Sequence, residues 1–150
     1  MGQGASAFPG LESALGYTFR DKNLLLEALS HDSLRVNDRA MRDYQRFEHL
    51  GDAVIAFVIT NYLFRKYPNY DEGQLSSRRG SLVGQNYQKG IAQRLELDKF
   101  VKMSQGVRGF QRFDKFLEAL IGAVFMDAGG EERGYPVAKR VIYKLWGLQE

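Results

Sequence analysis

The chain has 150 residues, 44% of them apolar and 13% aromatic, which suits a single folded domain rather than a disordered chain. It has no cysteine, which excludes disulfides and thiolate metal sites, and two histidines make a histidine-rich zinc site a poor candidate. No run of about 18 apolar residues exists, so no membrane span is expected, and the natural setting is intracellular and cytoplasmic. The balance of 21 basic to 18 acidic residues, net +3, permits a polyanionic partner without demanding one.

Residues 1–10 are rich in glycine, serine and alanine and are expected to be unstructured. Gly2 to Ser6 matches the N-myristoylation pattern, which a chance run of small residues also satisfies. The domain proper is expected over 11–150. A short helix over 11–15 is closed by Gly16, and Asp21 caps a helix from Lys22 to Leu29. A polar connection carrying His31, Asp32, Asn37 and Asp38 follows. From about Arg42 to Lys66 there is no proline, and Leu50, Val54, Phe57, Val58 and Tyr62 recur at helical spacing. Pro68 ends that helix. Further helices are expected from about Gln74 to Val83, from Gly84 to about Leu95, and from Phe113 to Ala128, the last closed by Gly129-Gly130. Pro136 suits the first turn of a final helix carrying Val137, Val141, Ile142, Leu145 and Trp146. No stretch alternates with period two. The fold class is all-α.

Chemistry concentrates on two of these helices. Glu48 and Asp52 are four apart, so both carboxylates leave the same helix face one turn apart and repel unless a cation joins them. Gly51 lies between them, where glycine costs about 1 kcal/mol against alanine, so another backbone must come close. The second helix mirrors the first, with Glu118 beside Ala119, Gly122 and Ala123. Were the two helices to meet at their small residues, Glu48, Asp52 and Glu118 would gather in one place, an arrangement that hard divalent cations such as magnesium or manganese stabilise. A solvated face is the ordinary state of isolated acids, but the apolar neighbours on both helices argue against it here.

The segment Gln45-Arg46-Phe47-Glu48-His49-Leu50-Gly51-Asp52-Ala53-Val54 resembles the signature of the ribonuclease III family, usually E-R-L-E-F-L-G-D-A/S-V. Further stretches fall in the family's order. They are Leu15 to Phe19, Ala28 to His31, Asp71 to Leu75, Leu82 to Asn86, and Glu118 to Phe125. The resemblance implies an all-helical nuclease domain that dimerises, as a homodimer or a heterodimer. Such a domain forms a cleft for double-stranded RNA and cuts it with magnesium-activated water, manganese substituting, to leave 5′-phosphates and a two-nucleotide 3′ overhang. By similarity Glu48, Asp52 and Glu118 are metal ligands, and Glu72 matches an acidic position that supports activity. Gln85 and Asn86 match a polar pair near the RNA. Arg78 and Arg79 are candidates for phosphate contacts, though exposed arginines on a helix are commonly just a solvated face.

Three positions depart from the family. Lys115 stands where the family has a further catalytic carboxylate, and an ammonium repels a cation rather than binding it. Asp114 is an alternative ligand four before Glu118, but a regular helix turns it about 100° from the family position. Gln45 replaces a glutamate, and His49 replaces a phenylalanine that plugs into the dimer partner. The chain ends without the RNA-binding domain that many members carry, which fits a minimal form, a shortened chain or a subunit relying on a partner. An active double-strand-specific endoribonuclease and a weakened or inactive relative that binds RNA or pairs with another subunit are therefore both in view. An all-α metal-dependent nucleotide pyrophosphatase is disfavoured by the ordered motifs.

Overall fold

A computed structural model describes residues 8–149 of the chain. They form seven α-helices: α1 (Pro9–Leu15), α2 (Lys22–Ala28), α3 (Gln45–Lys66), α4 (Glu72–Val83), α5 (Gln85–Arg94), α6 (Phe113–Asp127) and α7 (Gly130–Trp146). Short 3-10 turns lie at Asp32–Val36 and Leu97–Lys99. Among the described residues the only β-type pairing is an isolated bridge between Ser30 and Lys102, so the all-α expectation holds. No helix among them is long and apolar enough to cross a membrane.

Helix α6 is the hub. Phe116, Leu117, Ala119, Leu120, Ile121, Ala123 and Val124 are all fully buried, and α3, α7, α5 and α2 pack around them. A helix that is apolar on nearly every side can only be stable in the interior. The core face of α3 is Gly51, Val54, Ile55, Val58, Ile59 and Leu63. Phe57, assigned to that stripe by spacing, instead points outward and is 60% exposed. The helix is apolar on more than one face, so periodicity alone did not separate inside from outside.

Local signals place the other boundaries. Gly16 closes α1 in the left-handed region (φ 74°) that glycine enters without steric cost. Asp21 caps α2 by accepting from Asn23 N. Asp71 and Gln74 form a reciprocal capping box that starts α4 two residues earlier than expected. The last helix is the largest correction: it begins at Gly130, and Pro136 lies inside it rather than in its first turn. The positive-φ pair Gly129-Gly130 turns the chain at once. The added turns are held by a close approach, since a Cβ on Gly134 would lie 2.2 Å from the Phe125 backbone oxygen.

The unstructured segment expected over residues 1–10 does not extend to Phe8, which is buried against Phe100 with ring centroids 5.9 Å apart. The myristoylation pattern falls on residues 1–7, outside the described residues.

Candidate active site

The site is set by the crossing of α3 and α6 at two glycines. A Cβ built on Gly51 would lie 1.7 Å from the Glu118 backbone oxygen, and one on Gly122 would lie 2.3 Å from that of Phe47. No side chain fits at either position, so the two backbones meet and carry their flanking acids together. Beneath the crossing an aromatic cluster fixes both helix starts. The Tyr44 ring, at the N-cap of α3, sits 4.3 Å from that of Phe116, and Phe110 packs edge-on to both His31 and Phe116.

Glu48 and Asp52 project from α3 and Glu118 from α6 at this level. Burial pushes the Glu118 carboxyl up to about 8, aided by the charges of Asp52 and Glu48 and by a hydrogen bond with Asp52 that the protonated form makes. A hydrogen bond from Gln88 Nε2 to Glu118 Oε2, 3.1 Å, acts in the opposite sense. Glu48 is also raised by burial and by the Asp114 and Asp52 charges, with Lys115 and Arg112 pulling it back down. The Asp52 charge thus bears on both Glu118 and Glu48, and burial adds to its effect on each.

Among the described residues no three acidic or histidine side chains stand close enough to clasp one ion in their present rotamers. The chemistry of the donor set nevertheless fits a small divalent cation. It consists of hard carboxylate oxygens, with Glu118 raised chiefly by burial and then by its acidic neighbours, and a bound cation would favour the ionised form of each.

The remaining candidates divide into neighbours and outliers. Asp114, only 4% exposed, gives both carboxylate oxygens to Arg112, at 2.9 Å each. Lys115 lies in the first turn of α6, half-buried, close enough for its charge to bear on Glu48. Gln85, exposed at the start of α5, faces Lys89 Nζ and Arg112 Nε, and its amide oxygen, once turned toward them, would accept from both at 3.1 and 3.3 Å. Asn86 beside it is exposed.

Glu72 is placed elsewhere. It accepts from Ser76 Oγ at 2.9 Å and lines a cavity of about 220 Å³ with Thr60, Phe64, Leu75 and Arg79. Arg79 reaches Thr60 Oγ1 at 3.4 Å, while Arg78 donates to Tyr67 Oη at 3.0 Å. Gln45 and His49 line a separate groove of about 760 Å³ with Leu24, Glu27, Phe47 and Met126.

Two contributors escaped the sequence reading, Gln88 and Arg112. The signal for Gln88 was present: it is the lone polar residue in the stripe it shares with Ile91, Ala92 and Leu95. Nothing in the local sequence singles out Arg112.

Two helices crossing at paired glycines, with Glu48, Asp52 and Glu118 flanking the crossing, define the candidate site. Comparison with known proteins gives the family. A model of the Ribonuclease-III-like family matches residues 21–145, and the chain belongs to that family. Ribonuclease 3 of Rickettsia felis is 38% identical over 148 residues, covering 93% of this chain and 64% of its own length. Ribonuclease 3 of Ehrlichia chaffeensis is 37% identical over 142 residues, covering 91% of this chain and 61% of its own. The chain thus spans somewhat less than two thirds of these relatives. A structure of the nuclease domain of ribonuclease III from Campylobacter jejuni superposes with a TM-score of 0.78 at 37% identity, over 94% of this chain and 99% of that one. That structure was described for flexibility in a region involved in dimer formation.

Proposed function

We propose that the protein is a magnesium-dependent endoribonuclease that hydrolyses double-stranded RNA and leaves 5′-phosphates. The observation that carries this is the acid cluster at the Gly51–Gly122 crossing, in a chain of the ribonuclease-III-like family. Glu48, Asp52 and Glu118 would hold the cation, which when bound supplies an acidified water and stabilises charge on the attacked phosphate. Beside the acids, Arg112 and Lys115 supply positive charge that favours the approach of a phosphate chain. Gln85 and Asn86, both exposed at the start of α5, would contact the RNA. Arg78 and Arg79 would serve as more distant phosphate contacts. Glu72 would act from its own cavity rather than as part of the three-acid cluster.

The test is a labelled RNA duplex incubated with magnesium, beside its single strands and beside a Glu118→Gln variant. Cleavage of the duplex, sparing of the single strands, and a loss of about a hundredfold or more in the variant are expected. Equal cleavage by parent and variant sinks the assignment.

The working unit would be a dimer. Phe57 and Phe64, 60% and 68% exposed, lie two turns apart on α3, Phe64 beside the Glu72 cavity, and form an apolar face that suits a second copy. Phe47 and Val54, which the amino-acid order also suggests for a surface covered by a second copy, are half-buried and buried. Sedimentation at micromolar concentration is expected to show the dimer, with Phe57→Asp shifting it to monomer. A parent that sediments only as a monomer removes this part of the account.

A weakened site is the alternative, and one observation favours it: a lysine ammonium sits beside Glu48, where the relatives' pattern has an acid.

A further inference from the structure

Gln88, Ile91, Ala92 and Leu95 stand three, four and seven residues along one helical stripe of α5 and its C-cap, and all four face the core. Gln88 is 1% exposed there. A buried amide must find partners for an NH2 group and an oxygen. The donor side is satisfied, because Nε2 donates to the Val83 backbone oxygen at 2.9 Å and to Glu118 Oε2 at 3.1 Å. The acceptor side is not: among the described residues, Oε1 is buried with no hydrogen-bond partner.

That orphan oxygen shows what orients the amide. Turned over, the oxygen would face a carboxylate and a carbonyl, two further acceptors, and the NH2 group would be stranded instead. The Glu118 and Val83 oxygens thus dictate the orientation, and the fold tolerates an unmatched carbonyl in exchange. Leucine or methionine, of similar volume, would fill the position with no orphan atom. A side chain selected for packing alone would be one of those.

We propose that Gln88 is a positioning residue for Glu118, fixing one carboxylate oxygen from the α5 side and with it the rotamer in which Glu118 meets Asp52. The inference rests on Glu48, Asp52 and Glu118 being a cation site. It adds a third helix to that site, because α5 holds the ligand that α6 supplies. Side chains that orient metal ligands typically change metal affinity by about ten- to a hundredfold when removed, and that is the effect expected here.

The experiment measures Mn2+ affinity by the free-ion EPR signal for the parent, Gln88→Leu, Gln88→Met and Gln88→Asn, with thermal melts of each in chelator. Leucine and methionine test the loss of the amide. Asparagine keeps the amide but is one methylene short, so it should fail with them. The dissociation constant is expected to rise about ten- to a hundredfold in all three, while the metal-free melting temperatures stay within a few degrees of the parent. An unchanged dissociation constant in a folded leucine or methionine variant overturns the inference and leaves the site standing. A parent that binds no Mn2+ overturns both. The parent alone gives a second readout that needs no variant to fold: the Gln88 side-chain amide NMR signal should move with Mg2+ and broaden with Mn2+. A signal indifferent to both ions is equally decisive against the proposal.

Discussion

Gly51→Ala is expected to melt the domain at a temperature lower by about 10 °C or more. In an ordinary helix interior the same change is stabilising by about 1 kcal/mol, so even the direction of the effect is diagnostic. Here the new Cβ would stand 1.7 Å from the Glu118 backbone oxygen, 2.6 Å from its carbonyl carbon and 2.9 Å from Gly122 N. All three obstacles are backbone, so no rotamer change relieves the overlap and α3 must move off α6. Overpacking against side chains costs about 1–3 kcal/mol, and a backbone collision at the centre of the core belongs in the tail at about 4 kcal/mol or above. Against a total stability of about 5–15 kcal/mol this removes a large share, and for a chain of this length each kcal/mol is worth about 2–4 °C. The separation also draws Glu118 away from Glu48 and Asp52, so cleavage should fall with stability. Circular dichroism melts of the two proteins decide the matter, and an alanine variant that melts with or above the parent contradicts the close crossing.

Lys115→Asp is expected to act in the opposite sense, as a gain. Lys115 precedes Glu118 by three residues on α6, so the two share a face. Its ammonium helps hold the half-buried Glu48 ionised against desolvation, and the same charge repels an incoming cation. Asp114 does not compensate, because Arg112 takes both of its oxygens and it is almost wholly buried. Aspartate at position 115 would replace a repulsive charge with an oxygen donor. Initial cleavage rates of one RNA duplex at sub-saturating magnesium should rise about ten- to a hundredfold. Asp114→Asn should give a smaller decrease, through Arg112 losing its partner. Rates for Lys115→Asp that match the parent across the magnesium series mean that the three acids suffice. Loss of all cleavage in Asp114→Asn would instead make Asp114 a ligand.

Much of this was legible in the amino-acid order, and the exceptions have physical causes. Gly51 and Gly122 announced the crossing because glycine in a helix interior is unfavourable without a neighbour that needs the space. The caps at Gly16 and Asp21 are local signals and fell in their places, and the start of α4 lies two residues before the expected one. Phe57 was misassigned to the core because α3 is apolar on more than one face. Pro136 was taken for a helix start, yet the helix begins six residues earlier, where the Gly129-Gly130 turn and the contact of Gly134 with Phe125 extend it. Those contacts are tertiary and leave no periodic trace. The hydrogen bond from Gln88 on α5 to Glu118 on α6 likewise depends on how helices lie against one another.

The central claim is that the Gly51–Gly122 crossing makes one cation site from acids on two helices. Calorimetric titration with Mn2+ tests it most directly, on the parent, Asp52→Asn and Glu118→Gln in parallel. The account predicts binding to the parent, with a rise in melting temperature through linkage, and a loss of affinity of about tenfold or more in each variant. Mn2+ binding by Glu118→Gln that matches the parent would show that α6 contributes no ligand, and the account would be wrong at its centre.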